Sequence, residues 1–207
     1  MKMGDGYDFL RSLIRGFAEG AGHRLGVPFR NVQKLLRDTI AQASSVPERQ
    51  IAKALTRVSS VREASVVCRE DSVRIEATFE EGDAVSLSVI PTAARFAPRG
   101  AKELSFRVEP AELAGRLEVR DMVGAIAALV AHTLWAPFFG RLLNPSYDAI
   151  AERDRDEVRV DLRSVQAVRT AHQKGLGQLF DLIELSGLSV IDGAIRLHVK
   201  LPPILLP

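Results

Sequence analysis

Residues that could perform chemistry are few in this chain of 207 residues, and they are widely separated. The single cysteine, Cys68, cannot form an internal disulfide bond, and the histidines, His23, His132, His172 and His198, lack the close spacing of zinc ligands. The sequence contains none of the motifs G-x-S-x-G, H-E-x-x-H and G-x-G-x-x-G, and it contains no Walker phosphate loop. We therefore expect neither a metal nor a cofactor. The absence of motifs favours a non-enzyme, although an enzyme whose groups lie far apart in sequence stays a third hypothesis.

Two short segments have the composition of binding loops. Residues 174–177 (Lys-Gly-Leu-Gly) could contact a phosphate, but they are also typical of a helix end followed by flexible glycines. Asp154, Asp156 and Glu157 alternate with arginines, which is typical of a solvated loop. Cys68 falls in an alternating pattern, and we expect it to be a small buried residue rather than a reactive thiol. We predict no catalytic residue.

Charge is distributed unevenly along the chain. Residues 1–62 contain 11 Lys and Arg against 5 Asp and Glu, whereas residues 63–207 contain 17 against 21. A basic half can meet nucleic acid, an anionic lipid surface or an acidic protein, but dispersed basic residues are also typical of solvated helix faces. Neither an aromatic RNA-binding signature nor a basic recognition helix occurs, so we do not expect nucleic acid as a partner.

The basic region at residues 1–62 has a helical pattern. Apolar residues recur at helical spacing over residues 9–21 and again over residues 28–43. A third helix is predicted to follow Ser45, because Glu48 stands three residues later as in a capping box and Pro47 fits the first turn. The first helix is amphipathic and could meet a membrane or a protein partner. The residues of that surface are Phe9, Leu13, Phe17, Arg11 and Arg15.

Residues 63–207 change to the alternating pattern of half-buried strands. Strands are predicted near residues 64–69, 73–79, 85–89 and 104–108, and a loop containing Pro91, Pro98 and Gly100 is expected before the fourth. Later strands are predicted near residues 158–162, 188–190 and 195–201. The last two are joined by Asp192-Gly193, a strong hairpin signal. The pattern predicts an antiparallel meander with one solvated face.

An uncharged segment at residues 122–139 separates the two groups of strands. A membrane span needs about 20 apolar residues, and this segment is shorter and contains Gly124, His132, Thr133 and Pro137. We predict a helix buried on nearly all sides within the fold, with an inserted or interfacial membrane helix as the alternative. His132 could orient a polar group of a ligand or be a hydrogen-bonded core histidine. The candidate ligand-binding residues are Ile126, Val130, His132, Trp135 and Phe138.

These patterns predict an α+β fold in which an antiparallel β meander packs around an apolar helix and follows an N-terminal helical region. We divide the chain into residues 1–62 and residues 63–207, the latter with one continuous core. In the order of its elements, the chain resembles the tubular lipid-binding and helix-grip lipid-carrier domains, in which a long helix lies in a curved antiparallel sheet. The resemblance covers about residues 63–201 and rests on architecture rather than on a motif, so no site residue is carried over. It implies non-catalytic binding of a lipid or an apolar small molecule.

The alternative function is a protein–protein interaction or scaffold module that binds a partner, or a second copy, through its N-terminal helices. The apolar residues near the start of the chain are interrupted by Arg11, Arg15 and Glu19, unlike a secretory signal. We therefore expect a cytoplasmic protein, and peripheral contact with a membrane stays open.

Overall fold

A computed structural model describes residues 45–96, 100–139, 149–165, 168–169 and 184–200, with side chains omitted at residues 135–139. The described chain begins with strand β1 and helix α1, continues through four long strands to the long helix α2, and ends with two further pairs of strands. Their bounds are β1 Ser45–Pro47, α1 Glu48–Leu55, β2 Val61–Arg69, β3 Ser72–Phe79, β4 Ala84–Phe96, β5 Lys102–Glu109, α2 Leu117–Phe139, β6 Ala151–Asp154, β7 Glu157–Asp161, β8 Glu184–Ile191 and β9 Ala194–Lys200.

The nine described strands form one antiparallel sheet. Its main path is β1-β9-β8-β4-β5-β7-β6, and β2 joins the sheet through β3, which pairs with β4. The long strand β4 has two neighbours along one edge, because β3 pairs with its first half and Phe96 near its end pairs with Leu185 of β8. The sheet therefore divides at β4 into two branches, β3-β2 and β8-β9-β1.

The two branches meet again where the turn between β8 and β9 contacts β2. The amide of Gly193 in this turn donates to the carbonyl oxygen of Cys68 in β2 at 3.1 Å. The amide of Glu48 donates to the carbonyl oxygen of Gly193 at 2.9 Å, and the Glu48 carboxylate accepts from the amide of Cys68 at 3.2 Å. Glu48, Cys68 and Gly193 are called the junction below. The junction therefore ties the two branches together, and the buried side chains of the sheet line its inner face.

Helix α2 fills that inner face. Every residue from 122 to 131 is buried, and the apolar ones are at most 3% exposed. They pack in one core with inward-facing residues of the sheet, among them Leu104, Phe106 and Val108 of β5. A helix that is apolar all round must be enclosed, and the prediction of a helix buried within the fold is confirmed over residues 122–131. None of the described helices is long and apolar enough to cross a membrane.

The predicted fold class is confirmed in its coarse form, because the described residues form an antiparallel sheet around an apolar helix. The strands predicted over residues 64–109 and the Asp192-Gly193 hairpin are also present. Asp154, Asp156 and Glu157, expected in a loop, lie at the ends and turn of the β6–β7 hairpin. The helices predicted before residue 44 lie outside the described residues.

Two local predictions are wrong. Ser45 does not cap α1, since it pairs with Arg196 in the β1–β9 ladder, and the Glu48 side chain bonds to the distant Cys68 instead of closing a capping box. Pro91 does not end a strand: β4 continues to Phe96, with a register shift beyond Pro91 that accommodates the missing amide.

The division between residues 62 and 63 falls inside β2. Residues 45–62 share the sheet and the core with the later residues, because β1 pairs with β9 and Ile51, Ala54 and Leu55 of α1 belong to the same core cluster.

Candidate ligand site

The predicted ligand-binding residues are spread along α2, and the structure divides them by burial. Ile126 and Val130 are four residues apart on one face of the helix, and both are 0% exposed within the core. Their side chains already contact protein on all sides, so any ligand there would have to displace core packing. In the described structure these two residues are core residues.

Burial decreases toward the end of α2. His132 and Thr133 are half-buried, and Leu134 is again buried. The Thr133 hydroxyl donates to the carbonyl oxygen of Leu129 at 2.9 Å, which satisfies it within the helix. Trp135 and Phe138 belong to α2 by their backbone, and their side chains lie outside the description.

The residues predicted to form a membrane or partner surface also lie outside the described residues. They are Phe9, Leu13, Phe17, Arg11 and Arg15.

Two concavities of the described surface lie away from α2. The first, about 490 Å³, lies at the junction and is lined by Glu48, Val67, Cys68, Arg69, Glu70, Asp192 and Gly193. The second, about 450 Å³, lies over β2, β3 and β4 and is lined by Glu63, Ser65, Glu76, Ala77, Thr78, Ala84, Val85 and Ser86. Neither lining includes a residue of the predicted ligand set.

The junction concavity is lined mainly by acidic side chains and contains the buried thiol of Cys68. Three carboxylates, those of Glu48, Glu70 and Asp192, line it with one guanidinium, that of Arg69. Burial, together with the negative charge of Glu48, raises the pKa of the Cys68 thiol to about 11. Cys68 is therefore a buried and unreactive residue, as its alternating position predicts. Among the described residues, three or more acidic, histidine or cysteine side chains do not come together in a way that could hold a metal ion.

A buried cation on the inner face of the sheet was not among the residues predicted from the sequence. Lys102 is 1% exposed, and its Nζ lies 4.3 Å from the centroid of the Phe96 ring. Alternation along β5 places Lys102 on the same face as Leu104, Phe106 and Val108, so the pattern contained this signal. A buried ammonium is stabilised by such a ring contact only in part, and Lys102 makes further interactions.

A serine–histidine pair on β8 and β9 also escaped the sequence analysis, because its members are nine residues apart in different strands. The Ser189 hydroxyl and His198 Nε2 are 2.9 Å apart. The pair is on the outer surface, and within the described structure no carboxylate contacts the other ring nitrogen. Without an orienting group or an enclosed cleft, the pair lacks the arrangement that activates a serine.

The chain was compared with protein families, curated proteins and solved structures, and nothing matches in any of the three comparisons.

Proposed function

We propose that the protein is a non-catalytic binding protein for an apolar ligand or lipid, and that the ligand contacts the last two turns of α2. The observation that carries the proposal is the burial profile of α2 over its uncharged residues 122–134, which pack against the sheet. Packing is complete from residue 122 to residue 131 and is relaxed at His132 and Thr133. Apolar ligands bind where a mainly hydrophobic wall carries a few polar groups. His132 supplies such a group at the point where the packing loosens.

The first test asks whether the purified chain contains or takes up an apolar compound. Mass spectra under native and denaturing conditions should reveal a released compound. After its removal, titration with oleate should change the fluorescence of Trp135, the only tryptophan of the chain. If no compound is released and oleate changes neither the fluorescence nor the melting temperature, the proposal is wrong.

A matched pair of variants locates the site. His132→Phe fills space at the end of α2, and we expect it to weaken oleate binding at least tenfold. His198→Phe makes the same change on the outer surface of β9 and should leave binding unchanged. Equal affinities of the two variants would place the ligand away from His132, provided that urea unfolding shows both to be folded.

A protein–protein interaction or scaffold module is the second candidate. It is favoured by the two concavities, which are not lined by any residue of α2. Light scattering after size-exclusion chromatography tests it. A dimer that is lost on deletion of residues 1–25, which contain the first predicted helix, or of the apolar C-terminal residues 202–207 (PPILLP) would support this function. A monomer of the full chain, with no change on either deletion, would contradict self-association.

A further inference from the structure

Residues 45–55 form a strap that lies beside β2, the last strand of its branch. The strap consists of β1, which pairs with β9, and α1, which packs beside β2 and contacts α2. It is joined to β2 at one end by the turn after α1 and at the other by the Glu48 carboxylate. The strap therefore connects the two branches of the sheet.

The strap covers an edge of β2 that is not paired with another strand. Both backbone groups of Cys68 point away from β3, since its amide donates to Glu48 and its carbonyl oxygen accepts from Gly193. The backbone N–H and C=O groups of successive residues in a strand point to opposite edges, and the β2–β3 register is regular from Glu63 to Arg69. The backbone groups of Ala64 and Val66 therefore point the same way. In the described structure they have no hydrogen-bond partner on that side.

The backbone ladder that attaches the strap to the rest of the sheet is short. Its ladder with β9 has three residue pairs, and one of them contains Pro47, which has no amide hydrogen. Helix α1 has eight residues, and its N-cap, Pro47, makes no side-chain hydrogen bond to it. Helices of this length depend on tertiary packing, which Ile51, Ala54 and Leu55 provide. By contrast, β3 forms a ladder of six pairs with β4 and one of eight pairs with β2, the latter with one register shift between Val61 and Glu63.

We propose that the strap opens as a unit by local unfolding while the rest of the sheet stays folded, and that opening uncovers the edge of β2 together with the Cys68 thiol. Elements with short ladders at the end of a sheet open at lower free energy than its centre. An uncovered strand edge is a template for pairing with another strand, so the closed strap protects the fold from such pairing. Glu48 stabilises the closed strap, because its carboxylate accepts a hydrogen bond from the amide of Cys68.

Cys68 allows opening to be measured, since it is the only cysteine and is buried in the closed state. The full chain is labelled with a thiol reagent at increasing urea concentrations below the unfolding transition. At low urea concentration we expect the rate of labelling to be nearly independent of urea. We also expect this rate to be much higher than global unfolding alone would allow. Labelling that follows global unfolding, with the same urea dependence throughout, would overturn the proposal.

Two substitutions at one position separate the hydrogen bond from the charge. Glu48→Ala removes both, whereas Glu48→Gln removes the charge and keeps an acceptor oxygen for the Cys68 amide. We expect labelling to be about tenfold faster in the Ala variant than in the Gln variant, in line with the loss of one hydrogen bond. In the Ala variant, backbone hydrogen exchange should be faster in residues 45–55 than in the unsubstituted chain, and it should be unchanged in β3. Equal labelling rates in the two variants, or exchange that rises equally in β3, would refute the role of Glu48 in stabilising the closed strap.

Discussion

Ile126 offers a direct test of how α2 is enclosed, because its side chain is 0% exposed in the middle of the helix. The substitution Ile126→Ala removes three carbon atoms from the core. At about 0.8 kcal/mol for each buried methylene or methyl group, the transfer free energy alone amounts to about 2.4 kcal/mol. The cavity left behind adds to this, so we expect the free energy of unfolding to fall by about 3 to 4 kcal/mol.

The same substitution at Ile150 is the matched control, because that side chain is 63% exposed. Ile150→Ala should lower the free energy of unfolding by less than about 0.5 kcal/mol. Urea unfolding followed by circular dichroism measures both variants, and equal slopes against urea concentration would show that the comparison is valid. A loss at Ile126 below about 1 kcal/mol, or one equal to that at Ile150, would refute the enclosure of α2. A bound ligand that filled the space beside Ile126 would reduce the loss when added to the variant.

Three further predictions concern single residues. Gly193 has a φ of +77°, so Gly193→Ala should cost about 1 kcal/mol or more in urea unfolding, and an unchanged stability would contradict the turn geometry. A Cβ on Gly124 would lie 3.1 Å from the carbonyl oxygen of Ala149, so Gly124→Val should destabilise by about 2 kcal/mol or more. Gly124→Ala should cost less than about 1 kcal/mol, because a gain in helix propensity of about 1 kcal/mol offsets the contact, and a harmless Val would refute this packing. The pKa of the Cys68 thiol is raised from 9.0 to about 11, so the unfolded chain loses this proton at lower pH than the folded one. Its contribution to stability is therefore present below pH 9 and is lost as pH rises from 9 to about 11, at about 1.4 kcal/mol per unit of difference. Cys68→Ala should remove that part of the pH dependence of urea unfolding, and an identical pH profile would show that the thiol is not buried.

The strands and α2 could be predicted because their signals are local. Alternation along β3 and the Asp192-Gly193 pair depend only on neighbouring residues, and both fix the local backbone. The uncharged segment predicts burial because an enclosed helix has no solvated face. Its start was placed five residues too late, because Glu118, Arg120 and Asp121 are charged and the uncharged run begins only after them.

The errors occur where a distant residue competes with a local signal. Ser45 and Glu48 have the spacing of a capping box, but Ser45 pairs with Arg196 in β9 and Glu48 binds Cys68. These partners are separated by 151 and 20 residues in the sequence, and nothing in a local pattern reveals them. The same reason explains why the junction could not be foreseen, whereas the Ser189–His198 pair lies across the predicted Asp192-Gly193 hairpin.

The ligand site could be predicted only in part, and the physical reason is different. A run of apolar residues predicts that side chains are buried, but it does not distinguish a wall that faces a ligand from one that faces other side chains. Ile126 and Val130 have the same sequence signal as a ligand wall and are core residues in the described structure. Only the burial profile separates them from His132, where packing becomes incomplete.

The free edges of the sheet differ in how they are protected from pairing with other chains. Three strands lie at the ends of the pairing network, namely β1, β2 and β6. Strand β1 has three residues including Pro47, and β6 has four residues of which Glu152, Arg153 and Asp154 are exposed. Short and charged edges of this kind resist pairing with other chains. The nine-residue β2 is longer, its exposed charged residues Arg62, Glu63 and Arg69 lie near its two ends, and it is the edge beside which α1 packs. If α1 is required to cover that edge, variants that loosen the strap should self-associate before they unfold, whereas charged substitutions in β6 should not.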